Sequence, residues 1–284
     1  MNIQQTLQDA EEALKSAGIQ QPKQEARWLL AAHLDCDTSA LYAFESNSLP
    51  EPELFAERLS QRCAHQPLSR IIGHRAFWKQ SFQISPDVLD PRADSEWLIE
   101  TALQHCTQVP KRILDLGTGS GCLLLSALEE FPTAHGIGVD CSPKALEIAR
   151  NNAEELGFTD RVSWHCQNWL DDWENSPCEV IFANPPYIPH DAVLPRAVKD
   201  YDPALALFAD HGGMAAYETI IKSLHKVMQP KSLCIFECAP DQTTSLAQCG
   251  IDAGYAAFSP LAASGNMALH PTSQMGIVCV RLAV

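Results

Sequence analysis

The stretch from Arg112 to Asp140 constrains the fold more than any other part of the chain. Arg112-Ile113-Leu114-Asp115-Leu116 reads as a short strand, Gly117-Thr118-Gly119-Ser120-Gly121 as a glycine-rich turn, and Cys122 to Phe131 as an apolar helix. A second strand, Gly136-Ile137-Gly138-Val139, ends at Asp140. Strand, helix, strand in that order is the repeating unit of a parallel sheet, whose strands need a long crossover that usually carries a helix. Glycines at the turn let the backbone bend sharply and approach a nucleotide-like ligand closely. An acidic side chain about twenty residues further on can accept both hydroxyls of a ribose. Many nucleotide-binding folds use a glycine turn, but fewer combine it with an acidic strand end at this distance.

The alternation continues downstream. Ser142 is the expected N-cap of a helix from Pro143 to Leu156. A third strand, Val162 to Cys166, ends at Gln167-Asn168-Trp169. That strand end flanks the same crevice, where Asn168 can hydrogen-bond an adenine edge and Trp169 can cover the ring. A fourth strand, Val180 to Ala183, runs into Asn184-Pro185-Pro186-Tyr187. Two consecutive prolines stop a strand abruptly, because neither donates to the ladder and the residue before each is pushed out of the helical region. The result is a stiff corner offering hydrogen-bond acceptors beside an aromatic ring. It suits a planar group with an NH2, such as a carboxamide or the amino edge of a base, and taken alone it is equally well a structural turn. A proline-bearing polar loop follows through Asp202-Pro203, then Gly212-Gly213 and a helix with Tyr217, Ile220, Ile221 and Leu224. Ser232 to Glu237 reads as a strand, Gln242 to Ala253 as a helix, and Ala256 to Ser259 and Gly276 to Leu282 as two last strands. The fold class is therefore α/β, with a mainly parallel sheet covered on both faces.

The N-terminal part follows another pattern. Apolar residues at Ile3, Leu7, Ala10 and Leu14 have helical spacing, and Gly18 closes that helix. Pro22 and Pro52 open two more, with a short turn over Leu41 to Phe44 between them. The plain role of this bundle is packing; its functional role would be to hold a partner. From Pro67 to Ser85 an aromatic, glycine-punctuated stretch reads as a hairpin joining the two halves. Val88 to Glu96 is a loop feeding a helix capped by Asp94 or Ser95, with Arg92 and Glu96 as candidates to line a site.

Composition removes several function classes. The formal charge of −15 argues against general attraction to phosphate backbones, so a protein or small-molecule partner fits better than nucleic acid. Eleven cysteines are scattered without a CxxC pair or zinc-type spacing, so neither a metal site nor a disulfide framework is expected. The first residues lack a secretory pattern and no apolar run approaches the roughly 18 residues of a membrane span. The expectation is a cytoplasmic, reduced protein with no membrane partner.

With Asp115 to Gly121, Val139 to Leu146 and Asn184 to Ile188 in hand, the chain resembles the bacterial peptide chain release factor glutamine methyltransferases. The resemblance extends to the helical N-terminal part and to the segment Val88 to Glu96. It implies a Rossmann-like class I methyltransferase domain with a seven-stranded, mostly parallel sheet. It also implies a helical substrate-recognition domain over residues 1–66, a linking hairpin over 67–86 and a catalytic domain over 87–284. The implied cofactor is S-adenosyl-L-methionine, and the implied substrate is the glutamine of a Gly-Gly-Gln loop in a release factor, methylated on its side-chain nitrogen. Gly117, Thr118, Gly119, Ser120 and Gly121 would then contact the methionine part of the cofactor, Asp140 the ribose, and Asn168 and Trp169 the adenine. Asn184 would bind cofactor and substrate, with Pro185, Pro186 and Tyr187 completing the glutamine pocket; Asn184, Pro185 and Tyr187 would be the catalytic set.

The chain departs from the family pattern at several points. Asn168 stands for an Asp, Ala93 for a Pro, Gly212-Gly213-Met214 for Asp-Gly-Leu and Glu237-Cys238-Ala239 for Glu-x-Gly, and the C-terminal segment reads Gly265-Asn266-Met267-Ala268-Leu269. Three other readings share parts of this pattern. They are a ribosomal-protein glutamine methyltransferase, a DNA adenine methyltransferase acting on a flipped base, and a degenerate fold that only binds a partner.

Overall fold

Four apolar runs with no polar interruption, Ile113-Leu114, Ile137 to Val139, Val180 to Ala183 and Leu233 to Phe236, become the centre of one sheet in the computed structural model. Strands buried on both faces lose the polar alternation of a half-exposed strand. The structure describes residues 2–44, 47–171, 173, 177–259 and 275–282; the segment Gly265 to Leu269 lies outside them.

The chain forms two compact units, one of Met1–His74 with Leu194–Tyr201, the other of Arg75–Val193 with Asp202–Val284. In the first, helices α1 (Ile3–Ser16), α2 (Pro22–His33) and α3 (Pro52–Cys63) enclose a core that includes Leu14, Leu29, Leu30 and Phe55. Asn2 caps α1 by accepting the Gln5 N–H at 2.8 Å, and prolines open α2 and α3 as expected. Arg62 and Glu25 tie α3 to α2 through a two-pronged ion pair. A fourth helical turn, α4 (Leu68–Ile72), ends at Gly73, whose φ of +81° closes it. The hairpin expected over 67–86 is accordingly shorter, β1 (His74–Phe77) and β2 (Gln80–Gln83), because Leu68 and Ile71 pack into the helical core.

The second unit carries α5 (Glu96–His105), β3 (Arg112–Leu116), α6 (Cys122–Glu130), β4 (His135–Asp140), α7 (Pro143–Glu155), β5 (Val162–Cys166) and β6 (Val180–Ala183). Two short helical turns, α9 (Ala204–Leu207) and α10 (Asp210–Gly213), lead to α11 (Ala215–Ser223), β7 (Leu233–Cys238), α12 (Thr243–Asp252), β8 (Tyr255–Phe258) and β9 (Gly276–Leu282). A further turn, α8 (Arg196–Lys199), belongs to the helical unit. The strands order as β5-β4-β3-β6-β7-β9-β8; the first five run parallel and β9 pairs antiparallel with both β7 and β8. This is the seven-stranded, mostly parallel sheet expected. Its two faces bury separate cores: Ile113, Val180, Phe182 and Ile235 on one side, Leu114, Ile181, Ala183 and Phe236 on the other.

The chain enters the sheet at β3, winds outward through β4 and β5, then crosses back to β6 on the other side of β3. Ligands of open α/β sheets sit at this reversal, beyond the carboxyl ends of the strands. Leu116 pairs with Ala183, so the glycine turn and Asn184 emerge side by side at that point. Asn152, buried on α7, holds the turn from behind. Its Nδ2 donates to the Ser120 carbonyl at 2.8 Å and to Gln83 O at 3.0 Å, and its Oδ1 accepts the Gln83 N–H at 2.7 Å.

Candidate active site

A cleft of about 330 Å³ opens at the reversal point. Gly117, Thr118, Gly119 and Ser120 line it from β3, Asp140 from β4, Asn168 and Trp169 from β5, and Asn184 and Pro186 from β6. Three other expected site residues lie off it. Gly121 is the N-cap of α6, Pro185 is buried in the corner, and Tyr187 turns downward to donate its hydroxyl to Glu237 Oε1 at 3.4 Å.

The turn is pinned to the neighbouring strand, with Gly117 N and Thr118 N both donating to Val139 O at 2.8 and 3.0 Å. Asp140 accepts the Gly119 N–H on Oδ2 and the Ser142 N–H on Oδ1, each at 2.9 Å. Burial raises its pKa, and these amides together with that of Cys141 pull it back. Three amides on its two oxygens leave the carboxylate about one further acceptor direction, which a ribose hydroxyl can take. Asn168 donates one N–H to Asp171 Oδ2 at 3.3 Å, which turns its NH2 toward Asp171 and leaves its carbonyl oxygen as an available acceptor. The Trp169 ring lies over the turn, with its Cζ3 atom 3.4 Å from where a Cβ on Gly117 would stand.

The corner is braced from below. Gln242 Nε2 donates to Tyr187 O at 3.0 Å and to Gly212 O at 3.3 Å. Beyond it, Ile188 N donates to Leu207 O and Ala209 N to Ile188 O, both at 2.9 Å. Gly213 backs the same carbonyl so closely that a Cβ there would stand 2.1 Å from Tyr187 O.

Several functional-looking groups were not among the expected set. Asp115 is 2% exposed, lines the cleft and accepts the Thr118 hydroxyl at 2.7 Å. Burial pushes its pKa up to about 7, against the Thr118 bond and aided by the charge of Asp140. Glu237, also 2% exposed, accepts the Ser95 hydroxyl on Oε2 at 2.6 Å. Burial raises its pKa too, opposed by Ser95, Arg92 and Asn184. The sequence signal for both was available: a lone carboxylate within an otherwise apolar strand, near its carboxyl end.

The segment before α5 differs from expectation. Ser95 occupies the N-cap position of α5 but makes no side-chain capping bond; residues Ala93–Ser95 form a 3-10 turn and the hydroxyl is spent on Glu237. Glu96 takes the Trp78 backbone N–H at 2.7 Å and so anchors the hairpin. Arg92 lines the cleft and faces Asp202 at 3.8 Å.

Comparison with known proteins narrows what such a cleft is for. Residues 5–73 match the PrmC N-terminal domain and residues 108–248 a methyltransferase domain. A release factor glutamine methyltransferase of Bradyrhizobium diazoefficiens is 38% identical over 243 residues, covering 82% of this chain and 81% of the relative. The chain belongs to the release factor glutamine methyltransferase family. A second family member, from Cereibacter sphaeroides, is 36% identical over 92% of this chain and 94% of its own length. Among solved structures, the hMettl16 catalytic domain in complex with MAT2A 3′UTR hairpin 6 shares the fold at 14% identity. The match has a TM-score of 0.56 and covers 84% of each chain. Among the described residues no helix is long and apolar enough to cross a membrane.

Proposed function

We propose that this chain transfers a methyl group from S-adenosyl-L-methionine to the side-chain amide nitrogen of the Gly-Gly-Gln glutamine of a peptide chain release factor. The observation that carries the reading is the juxtaposition at the strand reversal. A cleft with a ribose-type carboxylate, Asp140, lies beside a rigid corner whose acceptors suit a carboxamide NH2. The names of the relatives support the choice of a protein glutamine over a flipped base, and the net charge of −15 agrees with it.

The residues present fit the cofactor: Asp140 lines the cleft and keeps acceptor capacity for a ribose hydroxyl, the Asn168 carbonyl is open for an amino edge, and Trp169 offers an indole face. When bound, S-adenosyl-L-methionine supplies an electrophilic methyl on a cationic sulfonium. Gly117 to Ser120, Asp140, Asn168 and Trp169 would hold it, and the buried carboxyl of Asp115 lies in the same cleft. On the acceptor side, an amide nitrogen is a poor nucleophile because its lone pair is delocalised. The protein therefore contributes orientation and electrostatics. The Asn184 side-chain oxygen and the Pro185 carbonyl accept the two amide hydrogens and stabilise the positive charge that grows on nitrogen. Tyr187 stiffens the corner. The product nitrogen loses its proton to solvent, so no side chain has to act as a base beforehand. The helical unit would recognise the release factor.

The test is to incubate the chain and labelled cofactor separately with release factor, ribosomal protein and DNA. Label on the release factor is expected, and label on DNA alone would overturn the proposal. Asn184→Ala should lower kcat by at least about 100-fold while the variant still binds cofactor; near-normal turnover would exclude the role given to Asn184.

A further inference from the structure

A carboxamide has two ends of almost equal shape and opposite chemistry: the oxygen accepts hydrogen bonds and the NH2 donates them. Asn184 can receive an NH2 group only if its oxygen faces the substrate. Something in the fold must choose that end.

The choice is legible in the two strands at the reversal. Ala183 pairs with Phe236, so Asn184 and Glu237 are the next residues on adjacent strands. Phe236 belongs to one core and Ile235 to the other, which sends Glu237 to the face covered by α5, where Ser95 precedes the helix. An ionised carboxylate can only accept. Glu237 Oε2 takes the single hydroxyl proton of Ser95 at 2.6 Å, and Oε1 takes the Tyr187 hydroxyl at 3.4 Å. With its proton committed, Ser95 Oγ can only accept from its other neighbour, and Asn184 Nδ2 lies 3.4 Å away. The NH2 end of Asn184 is thereby drawn toward Ser95 and Glu237, and the oxygen is left for the cleft that Asn184 lines.

We infer that Glu237, acting with Ser95, is a positioning residue that orients the Asn184 carboxamide and so makes the corner selective for an acceptor that donates N–H. The inference rests on the proposed function for the identity of that acceptor, but the orientation itself is a property of this chain alone. Arg92, Asp94 and Ser95 from the segment before α5, Cys122 at the start of α6, Asn184 and Tyr187 from the corner, Tyr217 on α11 and Cys238 on its own strand are charged, titratable and polar groups around Glu237.

Glu237→Leu removes the acceptor at similar size. The change also leaves the Ser95 and Tyr187 hydroxyls without their acceptor, so some loss of Tm is expected whatever the role of Glu237. We expect a folded variant of lower Tm, cofactor affinity within threefold of wild type, and kcat down about 100-fold at a temperature where it is folded, because the freed Ser95 proton can now turn to the Asn184 oxygen. Glu237→Gln, which can keep one oxygen toward Ser95, should lose less than tenfold. The decisive variant is Glu237→Leu with Asn184→Asp. A carboxylate has no wrong end, so the double variant should regain at least tenfold over Glu237→Leu alone; no recovery overturns the inference.

Neutron diffraction of the perdeuterated wild-type chain gives a reading independent of turnover. Deuterons on the Asn184 atom facing Ser95 are expected, and an oxygen there would overturn the orientation. If wild type failed to methylate any release factor while showing this orientation, the functional proposal would fall and the inference about the corner would stand.

Discussion

Gly213 ends the short turn α10, well separated in sequence from the corner, yet its replacement by alanine should cripple methyl transfer. Its φ is +89°, and a Cβ would meet Tyr187 O at 2.1 Å, Gln242 Nε2 at 2.5 Å and Tyr187 C at 2.9 Å. Two of these atoms are backbone and cannot swing away. The left-handed conformation costs an alanine roughly 1–2 kcal/mol, and forcing a methyl into a packed site costs roughly 1–3 more. Restoring ordinary contact requires a shift of about 1 Å in the corner carbonyl, a displacement that can cost about 100-fold in rate when it misplaces a reacting group.

Gly254 provides the matched control, because its φ is also +89° and nothing lies within 4 Å of its Cβ position. Gly254→Ala should therefore show the conformational cost alone. Steady-state kinetics, calorimetry with the cofactor and thermal unfolding on both variants separate the two effects. We expect Gly213→Ala to lose about 100-fold in kcat and about 2–5 kcal/mol in stability while cofactor affinity stays near wild type. Gly254→Ala should lose roughly 1–2 kcal/mol and keep its kcat. A Gly213→Ala variant with wild-type kcat and a stability loss no greater than that of Gly254→Ala would refute the claim that the corner backbone is held against residue 213.

Other consequences are open to measurement. Asp115 titrates near 7 when folded against 3.8 as a free carboxyl, so its stabilising contribution is present below about pH 4 and lost as pH rises through 7. Asp115→Asn should thus gain about 4 kcal/mol relative to wild type between pH 4 and pH 8 in urea unfolding, and parallel profiles would contradict that assignment. Trp169→Ala should weaken cofactor binding by roughly 10- to 100-fold, the worth of one base–aromatic stack, and calorimetry showing no change would remove Trp169 from the adenine site. Asn152→Leu leaves the Gln83 amide and two carbonyls without their partner and should cost several kcal/mol, on the order of 1–3 for each unpaired group, in thermal unfolding.

Much of the catalytic unit was legible because its signals are local. The β3 and β4 segments, the Asn184 strand and Gly276–Leu282 stand out as largely apolar runs, and Ser142 caps α7 as its position suggests, accepting the Ala145 N–H at 3.2 Å. Glycine turn and Asp140 converge because two strands joined by one helix must lie side by side. What periodicity could not show depends on partners far away in sequence. Ser95 has the look of a helix cap, and only the register of β7 reveals that Glu237 takes its proton. The loop after the corner reads as polar and irregular, yet Leu194–Tyr201 belongs to the helical unit and Ala204–Leu207 forms a turn whose carbonyl end pairs with Ile188. Gly213 gives no sign in the sequence that it faces Tyr187.

The central claim is that the cleft and the corner are the donor and acceptor halves of one transfer site. A crystal structure of the chain with S-adenosylhomocysteine and a peptide carrying Gly-Gly-Gln tests it most directly. The account predicts the nucleoside in the cleft formed by Gly117, Asp140 and Trp169, with the glutamine NH2 donating to Asn184 Oδ1 and to the Pro185 carbonyl. A glutamine amide bound away from Asn184, or nucleoside density outside that cleft, would contradict it.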